Sequence, residues 1–115
     1  MIKRSSEKKV DVKKMFDGDG EVILNHILNT REEMYDKGRV FSHVVIRPGC
    51  AIGNHVHRGD GETYYILKGQ GEYNDNGVTV TVGPGDVTFV DAEQEHGIRC
   101  IGDEPLELIA LVLFK

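Results

Sequence analysis

The chain has 115 residues, 39% of them hydrophobic and 29% charged, which suits one packed domain and leaves no room for two. Fourteen glycines against three prolines imply many tight turns and favour short strands over long helices. The formal net charge is -5, an acidic balance that disfavours nucleic acid as a partner, and no apolar run of about 18 residues exists to cross a membrane as a helix.

Residues 1–14 carry six Lys/Arg and two Asp/Glu and are expected to form a flexible basic N-terminal segment, with the folded domain spanning 15–115. The basic start has no apolar stretch behind it, so it does not read as a secretory signal. Together with only two cysteines, Cys50 and Cys100, this points to a reducing, cytoplasmic compartment and no disulfide framework. The turn Asp17-Gly18-Asp19-Gly20 opens a first strand over 21–28. Thr30 followed by Glu33 fits a capping box, which predicts a short helical turn closed by Gly38. Strands follow over 39–47, ended by Pro48-Gly49, and over 62–68, which is rich in aromatic and β-branched residues. Segments 70–74 and 78–82 flank Asp75-Asn76-Gly77, where Asn-Gly supplies the positive φ of a hairpin turn. After Gly83-Pro84-Gly85-Asp86 come strands over 87–90, 96–101 and 106–114. Short strands with Gly-rich turns and almost no helix predict an all-β sandwich or closed barrel.

One constellation carries chemistry. His55 and His57 are two apart, so on a strand both imidazoles project from one face. The bend Arg58-Gly59-Asp60-Gly61 can return the chain so that Glu62 aims a carboxylate at the same point, and His96 opens a distant strand. Three imidazoles and a carboxylate suit a borderline divalent metal such as Mn, Fe, Co, Ni or Zn. Four protein donors in an octahedral shell leave two positions for water or substrate, an open site of the kind a catalytic metal needs.

The spacing Gly49, five residues, His55, one, His57, four, Glu62, six, Gly69 matches the first motif of the cupin family throughout. In the second motif Gly85 and His96 stand at the family spacing, whereas Asp91, Glu93 and Cys100 depart from its Pro, Gly and Asn. The chain therefore resembles a single-domain cupin over about residues 40–115, and the stretch from Glu62 to Tyr73 is similar to small cupins compared with oxalate decarboxylases. The resemblance implies an antiparallel double-sheet jelly-roll barrel with little helix, one divalent metal held by His55, His57, Glu62 and His96 with manganese favoured, and a homodimer. It implies a type of site and not a reaction.

Other residues are read with alternatives open. Tyr64 shares parity with Glu62 and is either a hydroxyl facing a ligand or an inward aromatic that fills the barrel. Arg47, with His43, is either an inward clamp for a carboxylate or a solvated strand-end residue. Cys100 shares parity with His96 and is either on the cavity wall or a buried inert thiol. Glu93 and Glu95 flank His96 as candidate acid–base groups or as solvated loop carboxylates. Tyr65, Leu67, Leu111 and Leu113 point outward, toward a partner subunit or under the N-terminal strands. The expected function is a metal-dependent enzyme, a lyase or oxidoreductase acting on a small carboxylate. The alternatives are a module that binds or senses such a molecule without turnover, and a structural barrel with a vestigial site.

Overall fold

The computed structural model describes residues 1–115. It contains ten strands, one 3-10 turn at Ser5–Glu7 and no α-helix. In chain order the strands are β1 Val10–Lys13, β2 Val22–Leu28, β3 Gly38–Ile46, β4 Ala51–Val56, β5 Asp60–Lys68, β6 Gln70–Asp75, β7 Val78–Val82, β8 Val87–Val90, β9 Glu95–Ile101 and β10 Leu106–Phe114. They form a six-stranded sheet ordered β1-β2-β3-β10-β5-β8 and a four-stranded sheet ordered β4-β9-β6-β7. Every strand pairing is antiparallel, so the expected all-β jelly roll is the observed fold.

Alternation explains the packing. In β5, Asp60, Glu62, Tyr64 and Ile66 are buried while Tyr65 and Leu67 are exposed. In β10, Leu106, Leu108, Ala110 and Val112 are buried in the same period of two. The inward faces of both sheets meet in one apolar core that includes Val22, Val44, Ile46, Ile98 and Leu108. Asn76 (φ 49°) and Gly77 (φ 97°) form the hairpin turn between β6 and β7, both in the left-handed region as the Asn-Gly pair requires.

Three expectations are corrected. Residues 1–14, expected to be flexible, include a paired strand: Val10–Lys13 run antiparallel to residues 22–25, from Val10 opposite Asn25 to Lys13 opposite Val22. The helical turn over 29–37 does not form. The capping box is made, with Thr30 Oγ1 accepting from Glu33 N at 3.1 Å, but Tyr35 and Asp36 adopt positive φ and the chain stays in turns. The segment 51–56 is a strand the sequence did not announce, because Gly53-Asn54 interrupts its alternation.

The N-terminal segment then crosses from one sheet to the other. Met15 bridges in parallel to Ile52, and the Met15 carbonyl accepts from Gly53 N at 3.0 Å. The approach is backbone to backbone: a Cβ at Gly53 would collide with the Phe16 carbonyl. This crossing closes one side of the barrel and positions Phe16 beside the cluster described next.

Candidate metal centre

His55 and His96 face each other directly across the β4–β9 ladder. His57 follows the end of β4, and Glu62 reaches in from β5 of the opposing sheet. Their donor atoms all lie within 4.8 Å of one another. His55 Nε2 is 3.2 Å from His57 Nε2, which is 3.1 Å from His96 Nε2. Glu62 Oε1 lies 3.2 Å from His57 Nε2 and 3.1 Å from His96 Nε2. An octahedral ion with bonds of about 2.1–2.2 Å sets neighbouring donors roughly 3.0–3.1 Å apart, so the spacing fits such an ion.

The other ring nitrogens explain why these four atoms converge. His55 Nδ1 donates to the Gly53 carbonyl at 2.7 Å, and His57 Nδ1 donates to Asp60 Oδ1 at 2.6 Å. His96 Nδ1 is 2.8 Å from the Tyr73 hydroxyl, which accepts its proton in the same tautomer. Each Nε2 is then left with a lone pair aimed at a shared centre together with a carboxylate oxygen. Such a set is mutually repulsive without a cation and complementary to one. His57, Glu62 and His96 are buried, and His55 is half-buried.

At His55 and Glu62 electrostatics favour ligation; at His57 they favour a proton that a cation would have to displace. Burial pushes the His55 pKa down to about 4, which keeps its imidazole neutral and ready to ligate. Glu62 is held at about 2: burial raises it, but the His57 and His96 imidazoles against its carboxylate, once either takes up a second proton, outweigh burial. The Glu62 carboxylate holds His57 above the usual imidazole value against the opposite pull of burial. Burial pushes the Tyr73 phenol up to about 12 and the Tyr64 phenol well above its ordinary value, so both stay protonated.

The cluster opens on a cavity of about 290 Å³ between the sheets. Tyr64 lines it, buried, with its ring stacked on His96 at a centroid distance of 5.0 Å. Arg47 is exposed beyond the end of β3 and takes no part, because Ser42, Val44 and Ile46 are the inward residues and Arg47 has the opposite parity. His43 shares that outer face, where its Nε2 is 2.9 Å from Glu107 Oε1. Cys100 sits in the core at the far end of β9, its thiol donating to the Glu104 carbonyl at 3.3 Å, and burial raises its pKa. Glu93 turns outward to Gly59 N and Arg58, and Glu95 borders a groove on the outer side of the four-stranded sheet.

Four residues went unread in the sequence. Asp60, three residues after His57, binds His57 through Oδ1 and accepts from Arg39 Nε through Oδ2 at 2.8 Å. Its alternation with Glu62 was a usable signal. Arg39 enters the cavity because a bulge in the β3–β10 ladder sets Val112 opposite Val40 and Leu113 opposite Gly38, which leaves Arg39 unpaired and re-aimed. Tyr73 orients His96 from β6. Phe16, at φ 51°, stacks on His55 with ring centroids 3.8 Å apart and 9° between planes.

A family model described as Cupin domain matches residues 42–113. The chain is 40% identical over 114 residues to the "Oxalate-binding protein" of Thermotoga maritima, covering 98% of this chain and 93% of that one. It is similar, at 39% identity and a TM-score of 0.93 over 100% of both chains, to a crystal structure described as a predicted oxalate decarboxylase from the same organism. A Klebsiella pneumoniae protein with a double-stranded beta-helix domain shares 28% identity and a TM-score of 0.70 over 83% of this chain and 78% of its own.

Proposed function

This chain belongs to the cupin family, and from that premise we propose that it binds a small carboxylate at a divalent metal held by His55, His57, Glu62 and His96. The observation that carries the reading is the convergence of three Nε2 atoms and Glu62 Oε1, each imidazole being fixed by a partner on Nδ1. The donor spacing suits an octahedral shell, open to Mn, Fe, Co and Ni, better than the tetrahedral one zinc prefers, and manganese is put first on the resemblance to oxalate-decarboxylase-like cupins. The metal supplies Lewis acidity toward the carboxylate oxygens. The chain's own residues do the rest. Asp60 keeps the His57 tautomer and holds Arg39 at Nε, which leaves the Arg39 Nη groups without a protein partner beside the cavity and available to a carboxylate. Lys13 adds a second positive charge to the cavity lining. The relative named as an oxalate-binding protein supports this ligand class.

A second reading, turnover of the bound acid, is favoured by the full-length likeness to the structure described as a predicted oxalate decarboxylase. Neither Glu93 nor Glu95 reaches the cavity, and binding is put first on the relative named as an oxalate-binding protein. The proposal extends to a homodimer formed through the outer face of the six-stranded sheet and to work in a reducing compartment, in keeping with two unpaired thiols.

The test is metal analysis followed by carboxylate titration. Wild type should retain about one equivalent of manganese and His57→Ala far less. Equal, negligible content in both overturns the reading. Product formed from a panel of small acids by manganese-loaded protein would move the second reading ahead of the first.

A further inference from the structure

The cavity beside the cluster is not built for a ligand that is polar throughout. Nine of its fifteen lining residues are apolar. Leu24, Val44, Ala110 and Val112 are buried core residues whose side chains form its floor, and Val40 and Met15 continue that surface toward the mouth. The polar lining is concentrated on His55, His57, Glu62, Arg39, Lys13 and His26. At about 290 Å³ the space equals the liquid volume of roughly ten waters. Oxalate is two carboxylates joined back to back, with no hydrocarbon to set against this floor. Its binding would leave apolar side chains facing trapped water, which forfeits the burial that drives association.

We propose that the ligand is an amphiphilic acid: a carboxylate with a neighbouring oxo or hydroxyl oxygen at the metal and Arg39, carrying a branched apolar group that packs on Leu24, Val40, Val44 and Val112. This rests on the carboxylate reading above and narrows it. The bulge at Arg39 and the inward face of β3 and β10 supply the two halves of the recognition from adjacent strands. Head and tail are therefore selected by the same piece of sheet.

The experiment is calorimetric titration of manganese-loaded full-length protein with oxalate, pyruvate, 2-oxobutanoate and 4-methyl-2-oxopentanoate. Each buried methylene is worth about a fourfold gain in affinity, so the last acid, with three more carbons, should bind about sixtyfold more tightly than pyruvate. Val40→Thr, which keeps the shape of the side chain, should cost 4-methyl-2-oxopentanoate about fourfold in affinity and pyruvate less, with the thermal melting of the loaded protein as the check on folding. Affinity that is flat or falls with chain length, with oxalate the tightest, overturns this inference and leaves the carboxylate reading standing. A Val40→Thr loss that is equal for every acid also overturns it. No binding of any acid by protein that holds its manganese overturns both.

Discussion

Asp60 accepts from His57 with one carboxylate oxygen and from Arg39 with the other, so a single side chain fixes both a metal ligand and the cation at the cavity mouth. Burial raises its pKa, yet the hydrogen bonds from Arg39 and His57 hold it below the usual carboxylate value. Outer-shell carboxylates of this kind raise the basicity of the ligating imidazole, and their loss costs about 10–100-fold in metal affinity. Asp60→Asn should therefore retain the fold and weaken manganese binding by about that factor, measured by competition against a chelator. Unchanged affinity would show that His57 is held by its packing alone. The four ligands were legible because histidine and glutamate at those intervals have few other reasons to occur together. Arg39 was not legible, since a bulge depends on how β3 meets β10 and leaves no trace in the alternation of β3 itself. Arg47 has the same parity as Arg39 but no bulge re-aims it, so it stays exposed beyond the end of β3.

At the scale of elements, most strands declared themselves through alternation, as β5 and β10 did, and the Asn76-Gly77 turn fixed the register of β6 against β7. The two strands that escaped notice are short and mixed. β1 reads Val-Asp-Val-Lys, and β4 carries Gly53 and Asn54 in its middle. Both owe their form to partners distant in sequence, β1 to β2 and β4 to β9, so local propensity says little about them. Gly53 is the point where the crossing segment touches β4. Gly53→Ala would force the Phe16 carbonyl away and should destabilise the protein by about 1–3 kcal/mol. Urea denaturation gives that number. A midpoint equal to wild type would mean the segment from Met15 to Gly18 relaxes freely.

For the whole molecule, the candidate site lies on the inner surface, and the outer surface of the large sheet is apolar on its β8 side while His43 and Glu107 make it polar further along. Val87 (64% exposed) and Phe89 (59%) lie on the edge strand β8 beside Tyr65, with Leu113 close by on β10. A continuous apolar face next to an open strand edge marks an association surface. Phe89→Asp should convert the proposed dimer to monomer in sedimentation equilibrium at micromolar concentration, and a wild type that is already monomeric would refute the dimer. The front wall of the cavity has a different character. Lys13, Met15 and Phe16 belong to a strap attached to the large sheet by the four residue pairs of the β1–β2 ladder. Fraying of that ladder, together with release of Met15 from Ile52 and Gly53, is expected to widen the cavity, so the dwell time of the proposed acid should depend on the first seventeen residues as well as on the histidines. Amide exchange at Val10 and Val12 should slow when manganese and acid are both present, and exchange indifferent to them would place the exit elsewhere.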